Sequence, residues 1–262
     1  MIRYFDSLTH PTVSGTWFKN EDSSFSTLLD EVENNPNIYK VCAVNNPIFG
    51  CKNSEFLKKC KLSEKLFPVA RLSNEGMLSS ELAEAIDLGF SAIKIHPRQL
   101  ATPNLETFDE VFRTCEACNI KVFLCTYYFA SNGLYPEVDY LYQIGQILKR
   151  FPNLRLLLVH GGGVRLREFM EFVRHHPTTL LDLSLTMLKY EGSSIDLDVK
   201  FLITNFDRRI CIGSDHPEFP ISAPLEYLMR FRHELSHSKF ENIAWKNLAS
   251  FLGMTIEPLT SE

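Results

Sequence analysis

The chain has 262 residues, of which 45% are hydrophobic and 23% are charged, as is typical of a soluble protein with a packed core. Its net charge of -5 gives no electrostatic reason to expect nucleic acid or an anionic membrane surface as a partner. No leader-like segment opens the sequence, no apolar run approaches the roughly 20 residues that cross a bilayer, and the seven cysteines are scattered, so we expect a cytoplasmic protein.

Short apolar runs alternate along the chain with segments of helical periodicity. The predicted strands are Ile2–Phe5, Ile38–Val44, Phe67–Arg71, Ala92–Ile95, Val122–Cys125, Leu154–Val159, Leu180–Leu183 and Arg209–Ile212. Several are continuous apolar runs, as expected for parallel strands that are covered on both faces. The predicted helices are Phe25–Val32, Leu78–Leu88, Phe108–Cys118, Val138–Arg150, Leu166–Arg174, Leu197–Phe206, Pro224–His233 and Phe240–Phe251.

The alternation of strands and helices predicts an α/β protein built as a single (β/α)8 TIM barrel over residues 1–262. Such barrels typically use about 250 residues as one domain. A doubly wound open sheet is the alternative, but no glycine-rich dinucleotide fingerprint follows the first predicted strand.

Polar and ionisable side chains occur where the predicted strands end. Four of the eight histidines occupy such positions: His10, His96, His160 and His216. The other strand-end candidates include Lys94, Cys125, Tyr128, Asp182 and Asp215. In a closed parallel barrel these positions converge on one mouth, where barrel enzymes build their active sites. If these residues served only packing, their shared position at the strand ends would be a coincidence.

Several short segments carry a resemblance to a known family. They are the HGGG run from His160 to Gly163, the GSDHP run from Gly213 to Pro217, the FDSLTH run from Phe5 to His10, the AIKIHP run from Ala92 to Pro97, and Asn247 to Ala249. Together, in this order and spacing, they resemble the amidohydrolase-related family, TIM-barrel enzymes of the amidohydrolase superfamily. The resemblance covers essentially the whole chain.

The resemblance implies a divalent metal, most commonly zinc, held by two first-strand histidines, a fifth-strand histidine and the eighth-strand aspartate. This sequence departs from that pattern twice, because Leu8 replaces the first histidine and Cys125 replaces the fifth-strand histidine. The remaining ligand set would be His10, Asp215 and the Cys125 thiolate, whose atom types zinc accepts. Alternatively, Cys125 is a small buried apolar side chain and no metal binds.

The resemblance, together with the chemistry of each side chain, predicts roles for the other strand-end residues. Asp215 would act as general base towards water, and His160 would protonate or orient the substrate. Lys94 would anchor a substrate carboxylate or phosphate as a compact cation. A lysine paired with a neighbouring carboxylate is the structural alternative, and a carbamylated metal-bridging lysine is a third. His96, Tyr128 and His216 complete the predicted substrate contacts.

These assignments favour a hydrolase that acts on a small anionic lactone, ester or amide, with or without a metal. Two alternatives stay open, namely a metal-dependent decarboxylase of the same family and a barrel that binds a ligand without turnover. We expect a small-molecule substrate, no nucleic acid or membrane partner, and a homodimer as the assembly that the resemblance implies.

Overall fold

The computed structural model describes residues 2–18, 21–73, 77–97, 104–127 and 139–256. Its strands are β1 (Tyr4–Thr9), β2 (Ile38–Val44), β3 (Leu66–Arg71), β4 (Ala92–Ile95), β5 (Lys121–Cys125), β6 (Leu156–Val159), β7 (Thr179–Asp182) and β8 (Ile210–Cys211). They form one sheet in chain order with every described pairing parallel.

Backbone hydrogen bonds between β1 and the chain around β8 bring the two ends of the sheet together. Ser7 N donates to Ile212 O at 3.1 Å, and Asp215 N donates to Leu8 O at 2.9 Å. His10 N donates to the carbonyl oxygen of His216 at 2.8 Å. The eight strands therefore form a nearly closed (β/α)8 barrel, which confirms the predicted fold class.

Helices cover the outside of this barrel. They are α1 (Phe25–Asn34), α2 (Asn53–Cys60), α3 (Leu78–Asp87), α4 (Asp109–Ala117), α5 (Tyr140–Arg150), α6 (Leu166–His175), α7 (Thr186–Lys189), α8 (Ser194–Asn205), α9 (Ala223–Met229), α10 (His237–Glu241) and α11 (Asn247–Leu252). In α6 the buried residues are Leu166, Phe169, Met170 and Val173, which lie on one face at helical spacing. That face packs on the sheet, and the charged residues between them face outwards.

The structure corrects several predicted element bounds. The first strand runs from Tyr4 to Thr9 rather than from Ile2 to Phe5, because Asp6, Ser7 and Thr9 are fully buried and hydrogen-bonded inside the barrel. The polar residues that follow Phe5 therefore continue this strand instead of ending it. Helix α2 was missed, and the predicted carboxyl-terminal helix divides into α10, a π-helical turn over residues 242–246, and α11.

None of the helices in the described part of the chain is both long enough and apolar enough to cross a bilayer.

Candidate functional site

Five ionisable side chains from different strands meet at the carboxyl-terminal mouth of the barrel, and we call them the mouth cluster. The members are His10, Lys94, Cys125, His160 and Asp215, which lie at or just beyond the ends of β1, β4, β5, β6 and β8. All are buried, with between 1% and 7% of their surface exposed. Asp215 interacts electrostatically with the side chains of His10, Lys94 and His160. Residues that are far apart in the sequence thus share one site.

His10 is held in a fixed orientation by its backbone neighbours and by an aromatic contact. Its Nδ1 lies 3.2 Å from Val44 O, and since a carbonyl only accepts, Nδ1 carries the proton in this bond. The opposite ring atom, Nε2, lies 3.4 Å from Asp215 Oδ1. The Trp17 indole stacks on the imidazole with ring centroids 5.2 Å apart, and Trp17 Nε1 donates to Glu218 Oε1 at 3.1 Å.

His160 is positioned in a similar way from the far side of the barrel. Its Nδ1 lies 3.1 Å from Ser184 O, which must accept, so Nε2 is the nitrogen left for the mouth cluster. Burial alone would lower the pKa of His160. The charge of Asp215 and a hydrogen bond with Cys125 outweigh burial and raise that pKa above its ordinary value. The protonated form of His160 is therefore favoured.

The pKa of Asp215 is shifted in the opposite direction. Burial would raise the pKa of its carboxyl group, but the charge of His160, a hydrogen bond with His10 and the charge of Lys94 together lower it below its ordinary value. The site therefore favours an ionised carboxylate and a protonated imidazole that interact electrostatically within the same buried cluster. That combination provides a proton acceptor and a proton donor in one buried cluster.

The backbone at both of these residues is unusual. His160 has a φ of 67° and Asp215 a φ of 57°, in the left-handed region that residues with a Cβ seldom adopt. Gly162, just after His160, has a φ of 75°, and a Cβ there would overlap the Phe169 ring. Strained backbone of this kind concentrates at functional sites, where the surrounding structure must hold it. The HGGG and GSDHP segments therefore impose the directions of the two side chains.

Asp182 is a buried strand-end residue to which sequence reasoning assigned no role. Its carboxylate accepts from Ser7 Oγ at 2.5 Å, from Ser184 N at 3.1 Å, from His160 N at 3.3 Å, and from the Ser184 hydroxyl. Because the carbonyl of Ser184 orients His160, Asp182 acts on the site as a positioning residue. The sequence feature that could have indicated this role is a single aspartate at the end of an apolar strand.

The remaining predicted contacts lie around the mouth cluster, with one exception. His216 is buried, its Nε2 has no hydrogen-bond partner among the described residues, and burial with the nearby His10 lowers its pKa to about 4. His216 is therefore neutral at pH 7. His96 is buried just beyond β4. Tyr128 lies outside the described residues.

The donor atoms of the mouth cluster do not fit a catalytic divalent ion. Leu8, at the position where the resemblance implies the first histidine ligand, is completely buried in the core and offers no donor atom. Lys94 adds a positive charge that acts on both His160 and Asp215. Across the described ranges, no group of three or more His, Cys, Asp or Glu side chains is arranged to hold a metal. A catalytic zinc needs three protein ligands, which the predicted set of His10, Cys125 and Asp215 does not supply in this arrangement.

Eight parallel strands with ionisable side chains gathered at their carboxyl-terminal ends are the arrangement found in TIM-barrel enzymes. The sequence model of the family described as amidohydrolase matches residues 65–253, more than two thirds of the chain, and the protein belongs to this family. The matched range includes the HGGG and GSDHP segments. It excludes β1, where Leu8 departs from the expected histidine. A comparison with curated proteins found no significant match.

Solved structures with the same fold cover nearly the whole chain. An uncharacterised TIM-barrel protein from Bordetella bronchiseptica has a TM-score of 0.78 and 18% identity, covering 96% of this chain and 99% of its own. A probable 2-pyrone-4,6-dicarboxylic acid hydrolase from Acinetobacter baumannii, with citric acid bound, has a TM-score of 0.71 and 14% identity over 97% of this chain and 100% of its own. A dihydroorotase from Campylobacter jejuni has a TM-score of 0.68 and 15% identity over 98% and 85%, respectively.

Other structural neighbours are named as decarboxylases and a hydratase. At these levels of identity the likeness is one of fold, so the reaction has to be inferred from the site itself.

Proposed function

We propose that this protein is a hydrolase that opens a small anionic lactone, ester or amide without a metal ion. The observation that carries this proposal is the pairing at the mouth of the barrel, where Asp215 favours its ionised form and His160 its protonated form. The two groups are the base and the acid that hydrolysis of a carbonyl compound requires.

The chemistry follows from the two protonation states. Asp215 accepts a proton from water while the water oxygen attacks the substrate carbonyl carbon. Negative charge develops on the carbonyl oxygen, and the cationic Lys94 stabilises it in a buried site where electrostatic interactions are strong. His160 then donates its Nε2 proton to the leaving oxygen or nitrogen as the carbon–heteroatom bond breaks. An ester or amide yields a carboxylic acid and an alcohol or amine, and a lactone yields a single hydroxy acid. The proton on Asp215 then passes to solvent and His160 takes one up, which restores both starting states.

The charge of the mouth cluster supports an anionic substrate. With Lys94 and His160 cationic and Asp215 anionic, the cluster has a net positive charge, and it is buried. Such a site attracts a substrate carboxylate. The Acinetobacter baumannii neighbour, which is named for a dicarboxylic acid substrate and contains citric acid, agrees with this inference at the level of fold.

A substrate panel tests the reaction class directly. We expect purified protein to release acid from at least one lactone, ester or amide that bears a carboxylate, and to act less well on the matching neutral methyl ester. Proton release measured with a pH indicator in a weak buffer detects hydrolysis of lactones and esters. Amide hydrolysis releases an amine that takes up the proton, so it is followed with an amine-reactive reagent instead. Release of carbon dioxide from carboxylated aromatic compounds, without hydrolysis of the panel, would instead identify a decarboxylase.

Removal of divalent metals should leave this hydrolysis intact. Because the donor set does not fit a catalytic ion, protein treated with a chelator and then freed of it should retain its full kcat/KM. Elemental analysis of the same sample should find far less than one zinc per chain. Activity that is lost on chelation and restored by stoichiometric zinc would contradict the metal-free mechanism.

The pH dependence of kcat/KM should be bell-shaped with a broad plateau. Asp215 must be ionised, so activity falls as the pH drops through a pKa that is held below the ordinary aspartate value of about 3.9. His160 must be protonated, so activity falls as the pH rises through a pKa that is held above the ordinary imidazole value of about 6.5. Initial rates across the pH range, at substrate concentrations below KM, measure both limbs. An alkaline limb below pH 6 would exclude His160 as the acid.

A further inference from the structure

The amino-terminal end of the barrel, opposite the mouth cluster, contains a cavity with an unusual charge. Its volume is about 200 Å³, and three arginines line it. Arg155 lies just before β6, and Arg208 and Arg209 lie just before β8. Thr178 and Thr179, at the start of β7, lie between them on the cavity wall. A water molecule occupies about 30 Å³ of liquid volume, so the cavity has room for a small anion with its hydration waters.

Within the part of the chain that the structure describes, no acidic side chain neutralises these three arginines. None of them forms an ion pair with an acidic residue in the described ranges, where the arginine ion pairs involve other residues: Arg150, Arg165, Arg167, Arg174 and Arg230. The ammonium group of Lys121, at the start of β5, adds a further positive charge close enough to Arg155 for the two to repel each other. The amino-terminal end of the barrel therefore gathers four cations, and three of them line the cavity.

Two of the guanidinium groups are fixed in place by backbone carbonyls. Arg209 Nη2 donates to His176 O at 2.7 Å and to Thr179 O. Arg155 Nη2 donates to Ser250 O at 3.1 Å, and its guanidinium lies 5.2 Å from the centroid of the Phe251 ring. These bonds use Nη2 of each group, and a guanidinium has five N–H donors in all. The arginines are thus positioned for a ligand while most of their donors remain outside these bonds.

Partial burial removes some of the hydration of two of these arginines. Burial lowers the pKa values of both Arg155 and Arg209 below the ordinary value, and no carboxylate offsets this effect at either residue. A cation that loses hydration without gaining a counter-charge destabilises the folded state. An oxyanion bound in the cavity would supply the missing charge and accept the guanidinium N–H groups.

We infer that this cavity is a binding site for a phosphate group, either inorganic phosphate or a phosphomonoester. Arginine recognises phosphate through charge-assisted and frequently bidentate hydrogen bonds. Donors that approach from the β6 side and from the β8 side suit a tetrahedral anion with several acceptor oxygens better than they suit a single planar carboxylate. The site uses none of the residues of the proposed hydrolysis, so a test of one proposal does not decide the other.

Calorimetric titration of the full chain tests the site, with inorganic phosphate, O-phosphoserine and acetate as separate probes. We expect phosphate to bind and to raise the thermal unfolding temperature, and acetate to do neither at the same concentration. Binding of O-phosphoserine as tight as that of phosphate would identify a phosphomonoester site. Binding of phosphate alone would identify a site for the free ion. Absence of phosphate binding, or equal binding of acetate, would overturn the inference.

Three substitutions locate the binding. Arg155→Gln and Arg208→Gln should each weaken phosphate binding by roughly tenfold, the effect of losing one charge-assisted contact. Arg208 is exposed, so its replacement leaves the folded barrel intact even if Arg155→Gln lowers stability. Arg174→Gln, which removes an exposed arginine of α6, should leave phosphate binding unchanged. Phosphate binding that is the same in all three variants would place the anion elsewhere, such as at Lys94, and would refute the site.

Discussion

Replacement of Asp215 by asparagine should lower kcat by about 100- to 10,000-fold, the usual contribution of a general base. Asparagine has nearly the same shape as aspartate and can still contact His10 Nε2, which lies 3.4 Å from Asp215 Oδ1 in the parent. The amide cannot accept the proton of water, and it also removes the negative charge that helps to keep His160 protonated. Both the base and the acid are therefore impaired by one change.

The kinetic parameters distinguish this mechanism from a loss of substrate binding. Because Asp215 acts on water rather than on the substrate carboxylate, we expect KM to change little while kcat falls. Asp87→Asn, which replaces an exposed aspartate of α3, is the matched control and should leave both constants unaltered. If Asp215→Asn retained the parent kcat on a substrate identified by the panel, Asp215 would not be the base.

The alternation of strands and helices was readable from the sequence because the parallel strands are largely buried on both faces. Strands β2 and β4 begin and end where the apolar runs Ile38–Val44 and Ala92–Ile95 predicted. The first strand was misjudged because its inner face is polar. Asp6 accepts hydrogen bonds from Leu8 N at 2.9 Å and Ser214 N at 3.0 Å, and burial raises its pKa to about 7. A strand whose inner side chains form hydrogen bonds does not appear in the sequence as an apolar run.

The meeting of His10, His160 and Asp215 was also predictable, because parallel strands all end at one mouth. The opposite protonation tendencies of His160 and Asp215 were not, since they depend on burial and on distances between residues of different strands. The stacking of Trp17 on His10 and the hydrogen bonds around Asp182 were equally hidden. Each of these contacts depends on how the chain is folded, and no periodic pattern in the sequence indicates it.

Leu8 links the fold to the chemistry. It occupies the position of the first expected metal ligand, and it is completely buried as part of the hydrophobic core. Its carbonyl oxygen accepts from Asp215 N at 2.9 Å, so this residue helps to place the proposed base through its backbone. Leu8 thus contributes packing at this position, while the position of Asp215 relative to β1 is set by backbone bonds. The proposed hydrolysis relies on that position and not on a bound ion.

Replacement of Gly213 by alanine should destabilise the protein by about 1–3 kcal/mol, the usual effect of adding a group to a packed interior. Gly213 lies between β8 and β1 where the barrel closes, and a Cβ there would overlap the Ser7 hydroxyl and lie 2.9 Å from both Asp6 Oδ1 and Leu8 N. Leu8 N belongs to the backbone and cannot rotate away. Ser7 and Asp6 also hold Asp182 and Ser214, so movement at this point weakens further hydrogen bonds.

Thermal unfolding measures this effect, since each kcal/mol corresponds to about 2–4 °C in a protein of this size. Gly145→Ala is the matched control, because Gly145 lies inside helix α5 and its added Cβ would be 3.7 Å from the Phe172 ring, an ordinary contact. That change should instead stabilise the protein by about 0.5–1 kcal/mol, since glycine weakens a helix interior relative to alanine. The displaced backbone lies two residues before Asp215, so Gly213→Ala should lower kcat as well, whereas Gly145→Ala should not. A Gly213→Ala protein as stable as the parent would mean that the contact between β8 and β1 is looser than these distances require.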